Sequence, residues 1–159
     1  MLRTLALAVL LIVTALPASA GLKEGVAAYK RGDYGTAYRE FKAFAERGHA
    51  KAQFALGVMY DKGQGVQKNP REAAVWYRKA AEQGNAGAQL NLGVMYDKGR
   101  GVPHDYVLAY MWFALAADRG DKLAAKARDL VVKLMTPSQV ARARGLAAKW
   151  KPSKARQAK

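Results

Sequence analysis

Eleven residues, LGVMYDKGQGV from Leu56 to Val66, return as LGVMYDKGRGV from Leu92 to Val102 with one change, Gln64 to Arg100. The surrounding sequence keeps the same offset of 36, and residues 52–69 match 88–105 at 12 of 18 positions. Beyond the loop, Ala73, Trp76, Ala80, Ala81 and Gly84 return as Ala109, Trp112, Ala116, Ala117 and Gly120. Upstream, Asp33, Ala37, Ala45 and Gly48 precede Asn69, Ala73, Ala81 and Gly84 by the same interval. A catalytic constellation is not written twice at a fixed interval, whereas a unit that buries its apolar face only against copies of itself must be. A period of this length is the mark of a solenoid.

Each unit reads as two helices. Ala52, Leu56, Met59 and Tyr60 recur at helical spacing and make one apolar stripe. Gly63 and Gly65 then supply the left-handed backbone that closes a helix and opens a turn. Asn69 follows as an N-cap, Pro70 as a first helical residue and Glu72 as the third, the arrangement of a capping box, with Asp33 and Asp105 at the matching cap positions. The second helix is expected to bury Ala73, Trp76, Tyr77 and Ala80 and to stop at Gly84. No strand-like alternation of useful length interrupts this pattern, so the fold class is all-α.

These residues resemble the Sel-one-like repeat, a relative of the tetratricopeptide repeat. The pattern A-x-x-x-L-G-x-x-Y-x-x-G-x-G-V runs from Ala52 through Leu56, Gly57, Tyr60, Gly63 and Gly65 to Val66, and continues through Asn69, Ala73, Trp76, Tyr77, Ala80, Ala81 and Gly84. It recurs from Ala88 through Leu92, Gly93, Tyr96, Gly99 and Gly101 to Val102, then Asp105, Ala109, Trp112, Phe113, Ala116, Ala117 and Gly120. The first unit departs from it: between Tyr29 and Ala37 its loop is five residues shorter than between Tyr60 and Ala73, closer to a plain tetratricopeptide repeat. The resemblance implies a right-handed α-solenoid whose concave side holds a protein or peptide, as a scaffold or adaptor does. On that frame the chain divides into a leader (1–20), an N-terminal cap unit (21–51), two repeats (52–87 and 88–123), C-terminal capping helices (124–151) and a basic tail (152–159). One disulfide-rich branch of the family is described with penicillin-binding or β-lactamase activity. This chain has no cysteine at all, so a hydrolase ranks as a distant third reading.

The first twenty residues, MLRTLALAVLLIVTALPASA, place Arg3 before an apolar run from Leu5 to Leu16, then Pro17 and the small triplet Ala18-Ser19-Ala20. That is the three-part layout of a secretory signal peptide, with cleavage expected before Gly21. The run is too short for the roughly 20 apolar residues that span a bilayer, so no membrane span is expected after cleavage. Export in a two-membrane bacterium means the periplasm, or secretion beyond it. The mature charge is uneven. Residues 122–159 carry 11 basic side chains and one acid, while 21–121 carry 15 and 11. A nucleic-acid partner would suit such basicity, but export removes it from reach; anionic envelope polymers and lipid headgroups remain.

Catalytic and metal-ligating residues are expected to be none, and no cofactor is implied. After the leader the only serines are Ser138 and Ser153, and the only histidines are His49 and His104, with no carboxylate set around them as a relay. The glycine pairs follow no strand and read as turns rather than phosphate loops. Trp76 and Trp112 recur at one repeat position and read as packing. The pairs Asp61-Lys62 and Asp97-Lys98 fall where lysine complements a helix C-terminus. Candidates for partner specificity are therefore sought where the copies differ: Phe54 against Leu90, Ala55 against Asn91, and Gln64 against Arg100. The second candidate surface is C-terminal. Thr136-Pro137-Ser138-Gln139 starts a helix on which Val140, Ala143, Leu146, Ala147 and Trp150 form one stripe, flanked by Arg142 and Lys149 on one side and Arg144 and Lys151 on the other. With Lys154, Arg156 and Lys159 these cations suit an anionic surface. The competing reading is a capping helix that covers the exposed end of the solenoid.

Overall fold

The computed structural model describes residues 18–153, and within them every regular element is helical. The order is α1 (Ala18–Lys30), α2 (Tyr34–Glu46), α3 (Ala50–Lys62), α4 (Pro70–Glu82), α5 (Ala86–Lys98), α6 (Tyr106–Ala117), α7 (Lys122–Val131), a short 3-10 turn (Val132–Leu134) and α8 (Pro137–Lys149). Three hairpins, α1/α2, α3/α4 and α5/α6, stack in chain order. The second helix of each packs on the first helix of the next, through α2/α3, α4/α5 and α6/α7. The fold is an all-α solenoid. Most of the leader and all of Lys154, Arg156 and Lys159 lie outside the described residues.

One contact holds every hairpin closed. A β-carbon on Gly57 of α3 would sit 2.5 Å from the Tyr77 ring of α4, and one on Gly93 of α5 would sit 2.6 Å from the Phe113 ring of α6. In the first hairpin Gly25 meets Phe41 in the same way, at 2.9 Å. Each glycine thus gives an aromatic ring direct access to the facing helix backbone, and Tyr77 and Phe113 are almost wholly buried there. This pairing also fixes the register of the first unit. The N-cap amides of Asn69 and Asp105 donate to the Tyr60 and Tyr96 carbonyls, and that of Asp33 donates to Ala28. Ala28, not Tyr29, is therefore the counterpart of Tyr60, and the first loop is shorter by four residues rather than five.

The caps follow the sequence closely, with one correction. Asp33, Asn85, Asp105 and Asp121 each accept from the backbone amide three residues on. Asn69 accepts from both Arg71 and Glu72 amides. Its own amide is already given to Tyr60 across the loop at 2.9 Å, so Glu72 does not close a capping box. The box does form at α8, where Thr136 and Gln139 bond reciprocally at 2.8 and 3.2 Å.

Burial also separates the two tryptophans. Trp112 is 6% exposed, whereas Trp76, at the same repeat position, is only half-buried, with the Lys79 ammonium 4.1 Å above its ring. The difference lies in what comes next along the stack. α6 is covered by α5, α7 and also α8, whose Trp150 meets Trp112 edge-on at 6.5 Å. This extra cover explains why α6, YVLAYMWFALAA, carries no charged residue and buries nine of its twelve side chains.

Candidate functional site

The face to consider is the one formed by the first helix of each unit, α1, α3, α5 and α7. Stepping from α1 to α3 by 32 residues and onward by 36 brings Val26, Val58, Val94 and Leu130 to one position in successive helices. One turn further on, the same steps give Lys30, Lys62, Lys98 and Leu134. Residues four apart on a helix share a face, so the two rows run side by side across the stack. On α7 and the turn after it the stripe is apolar throughout, with Leu123, Leu130 and Leu134 exposed by 66%, 64% and 61%.

Two cavities open along these rows. The first, about 330 Å³, lies between α1, α2 and α3, with Val26, Lys30, Phe41, Phe54, Ala55 and Val58 in its wall. The second, about 230 Å³, lies between α5, α6 and α7, with Val94, Lys98, Phe113, Leu130 and Leu134 in its wall. Each therefore joins valine, an aromatic ring and a lysine from equivalent positions. Lys98 pairs with Asp97 at 3.0 Å, and the hydrogen bond to that carboxylate raises the lysine above its ordinary range. The pair is solvent-exposed on the lysine side and contributes little to stability.

The residues singled out where the copies differ fall into two groups. Phe54 and Ala55 line the first cavity, and Phe54 also abuts Gly87 of α5 and the Tyr77 ring at 5.9 Å. Leu90 is half-buried against the C-terminal core. Gln64 and Arg100 instead reach back to the preceding unit. Tyr29 donates to the Gln64 side chain at 2.7 Å, and Arg100 pairs with Asp61 at 3.1 Å. Tyr29 and Asp61 occupy equivalent positions, so one join between units is neutral and the next ionic. Burial first, and then the Asp61 carboxylate, push the Tyr77 phenol above the ordinary tyrosine range, while the Asn91 side chain acts in the opposite sense. The loop glycines complete these joins. A β-carbon on Gly65, whose φ is +71°, would lie 2.5 Å from the Tyr34 carbonyl at the start of α2.

At the C-terminus, α8 packs on α6 through Ala143, Ala147 and Trp150. The Trp150 ring lies against Trp112 on one side, with the Arg119 guanidinium 5.7 Å from its centre. Arg142, Lys149 and Lys151 are exposed, while Arg144 donates to the Tyr110 hydroxyl at 3.4 Å. Beyond the helix, Ser153 donates its amide to the Glu82 carbonyl at 2.7 Å, tying this end back to α4. Among the described residues no group of three or more His, Asp or Glu is placed to hold a metal ion, and no helix is long and apolar enough to cross a membrane.

The rows of Val26 and Lys30 equivalents escape a search for differing positions because they lie in the repeated text itself. Val58, Lys62, Val94 and Lys98 belong to the copied eleven residues, where packing and surface positions look alike. The available signal was the helical offset: Ala55, Val58 and Lys62 are spaced i, i+3, i+7 and fall on one face, away from Leu56.

Residues 50–85 and 86–121 each match the family model of the Sel1 repeat. These segments begin at the first residues of α3 and α5. Among solved structures, the chain is similar to a protective antigen present in uropathogenic Escherichia coli strains and displaying an SLR fold, at 35% identity and a TM-score of 0.79, over 84% of this chain and 30% of that one. It is also similar to a Sel1 repeat protein from Oxalobacter formigenes, at 33% identity and a TM-score of 0.67, over 81% of this chain and 55% of that one. The chain thus spans less than a third of the first relative and little more than half of the second. Proteins built from Sel1 repeats are generally protein-interaction scaffolds. The chain is a Sel1-repeat protein, with two repeats of that family set between an N-terminal helical hairpin and a C-terminal pair of helices.

Proposed function

We propose that this chain is an exported, non-enzymatic scaffold that holds a protein or peptide partner on the face formed by α1, α3, α5 and α7. One observation carries the reading. Of the six large apolar side chains that stand exposed among the described residues, four (Val26, Leu123, Leu130 and Leu134) lie on that face. Apolar surface set on one face at both ends of the stack, beside two cavities, supports a contact surface rather than scattered solvent exposure. Export rests on the leader, and its check is direct: the protein isolated from a bacterial envelope fraction begins at Gly21 by mass spectrometry, and an intact Met1 terminus counts against export.

The binding reading is tested by placing a photo-cross-linking residue at Val94 on this face, at Val75 on α4, or at Lys149 on α8. Val75 is exposed by 43% but lies on the second helix of its unit. The reading expects one protein adduct from position 94 and none from 75. A second reading is favoured by the 11 cations against one acid in residues 122–159: an anionic envelope polymer or lipid surface held by α8 and the tail. It expects adducts from position 149 alone, lost at modest salt.

A further inference from the structure

We propose that the partner segment is an acidic amphipathic helix, its apolar stripe seated on Val26, Val58, Val94 and Leu130 and its carboxylates against Lys30, Lys62 and Lys98. The inference rests on the groove reading above and adds the chemistry of the occupant.

Three observations lead to it. The apolar row and the lysine row are set by the same residue steps, so they stay parallel over three units. A lysine at the end of a helix complements the dipole on any face, yet Lys30 and Lys98 each close the wall of a cavity that also holds a valine of the apolar row. Lys62 is exposed at the intervening position. The carboxylates nearest these ammonium groups are few. Asp61 is taken up by Arg100 at 3.1 Å, and Asp97 lies mostly covered beside Lys98, whose side chain is 69% exposed and open to a second carboxylate. The row of cations therefore lacks its full complement of anions. A helix lying along the stack meets these rows in turn, its apolar stripe on Val26, Val58, Val94 and Leu130 and a neighbouring acidic stripe on the lysines. At α7 the lysine row gives way to Leu134, so the acidic stripe ends where the fourth apolar contact begins.

The test uses the full chain and synthetic helical peptides of about 25 residues, fluorescently labelled, with one leucine stripe flanked by Glu, by Gln or by Lys. Fluorescence anisotropy is read at rising salt. The acidic peptide is expected to bind best, with affinity falling as salt rises. Reversing the row as Lys30→Glu/Lys62→Glu/Lys98→Glu, at exposed positions that leave the fold intact by circular dichroism, weakens it about tenfold or more and transfers preference to the basic peptide. Equal binding of the acidic and basic peptides overturns the acidic occupant. A second variant, Val26→Lys/Leu130→Lys, separates the two levels. If all peptides bind equally and lose binding in that variant, the groove stands and the acidic chemistry falls. If no peptide binds, or that variant changes nothing, the groove reading fails as well.

Discussion

Gly57 and Gly93 are small because a ring needs their space, and this makes them the most sensitive single positions of the repeat. An alanine at Gly57 places its methyl 2.5 Å from the Tyr77 ring, which is fixed in the core. Gly57→Ala is therefore expected to lower stability by about 1–3 kcal/mol, the range for overpacking, despite alanine's better helix propensity. Gly145→Ala on α8, with open space around it, is expected to hold or raise stability; urea denaturation of both variants checks the contrast. The tyrosines give a second residue-scale expectation. The Tyr60 phenol is pushed up to about 12, first by its hydrogen bond with Tyr38 and then by burial. A group whose folded pKa is raised keeps its contribution below the unfolded value, near pH 10, and loses it as pH climbs toward the folded value. Stability should fall between about pH 10 and 12, and Tyr60→Phe should flatten that part of the profile in chemical denaturation run at each pH.

Among the elements, α8 is the one whose role two readings dispute. Its apolar stripe was legible in the sequence, and so was the capping box at Thr136 and Gln139. What covers what was not. The helix meets α6 rather than lying beside α7, and this leaves Leu123 and Leu130 of α7 open. Trp150 spends its ring on Trp112, with Arg119 on another side, which supports cover for the solenoid end. Trp150→Ala is expected to cost about 2–3 kcal/mol, less than a fully buried tryptophan, and Thr136→Ala about 1 kcal/mol. If Trp150→Ala leaves the melting temperature unchanged, α8 is not a structural cap and its cations regain the stronger claim on function.

At the scale of the molecule, stability is distributed as in a stack, where each unit depends on its neighbours. α4, α5 and α6 have partners on both sides, while α1 meets only α2 as a full neighbour and α8 only α6. Amide hydrogen exchange should therefore be slowest in α5 and α6 and fastest at α1 and α8. The joins add to this order. Asp61 is mostly covered, with an 18% exposed side chain, and one of its oxygens has no hydrogen-bond partner in the protein. Arg100→Ala removes its cation and is expected to destabilise by about 1 kcal/mol. Arg100→Gln, which copies Gln64 of the previous unit, should recover part of that loss in a double-mutant cycle with Asp61→Asn.

The repeat, the helix ends and the all-α class were all present in the sequence, because each depends on local rules: a period, a cap residue, a glycine where the backbone turns left-handed. Position 64 and its counterpart 100 show where locality ends. They differ between the copies and so looked free to meet a partner, yet stacking turns them back onto Tyr29 and Asp61 of the unit before. Val58 and Val94 show the converse, since identical residues in identical units became surface only when the units were laid side by side. Which side chains face a neighbour, which face water and how the rows line up depend on distances between units. Those distances exist only in the stacked chain, so the period was the sequence's to determine and the face was the tertiary structure's.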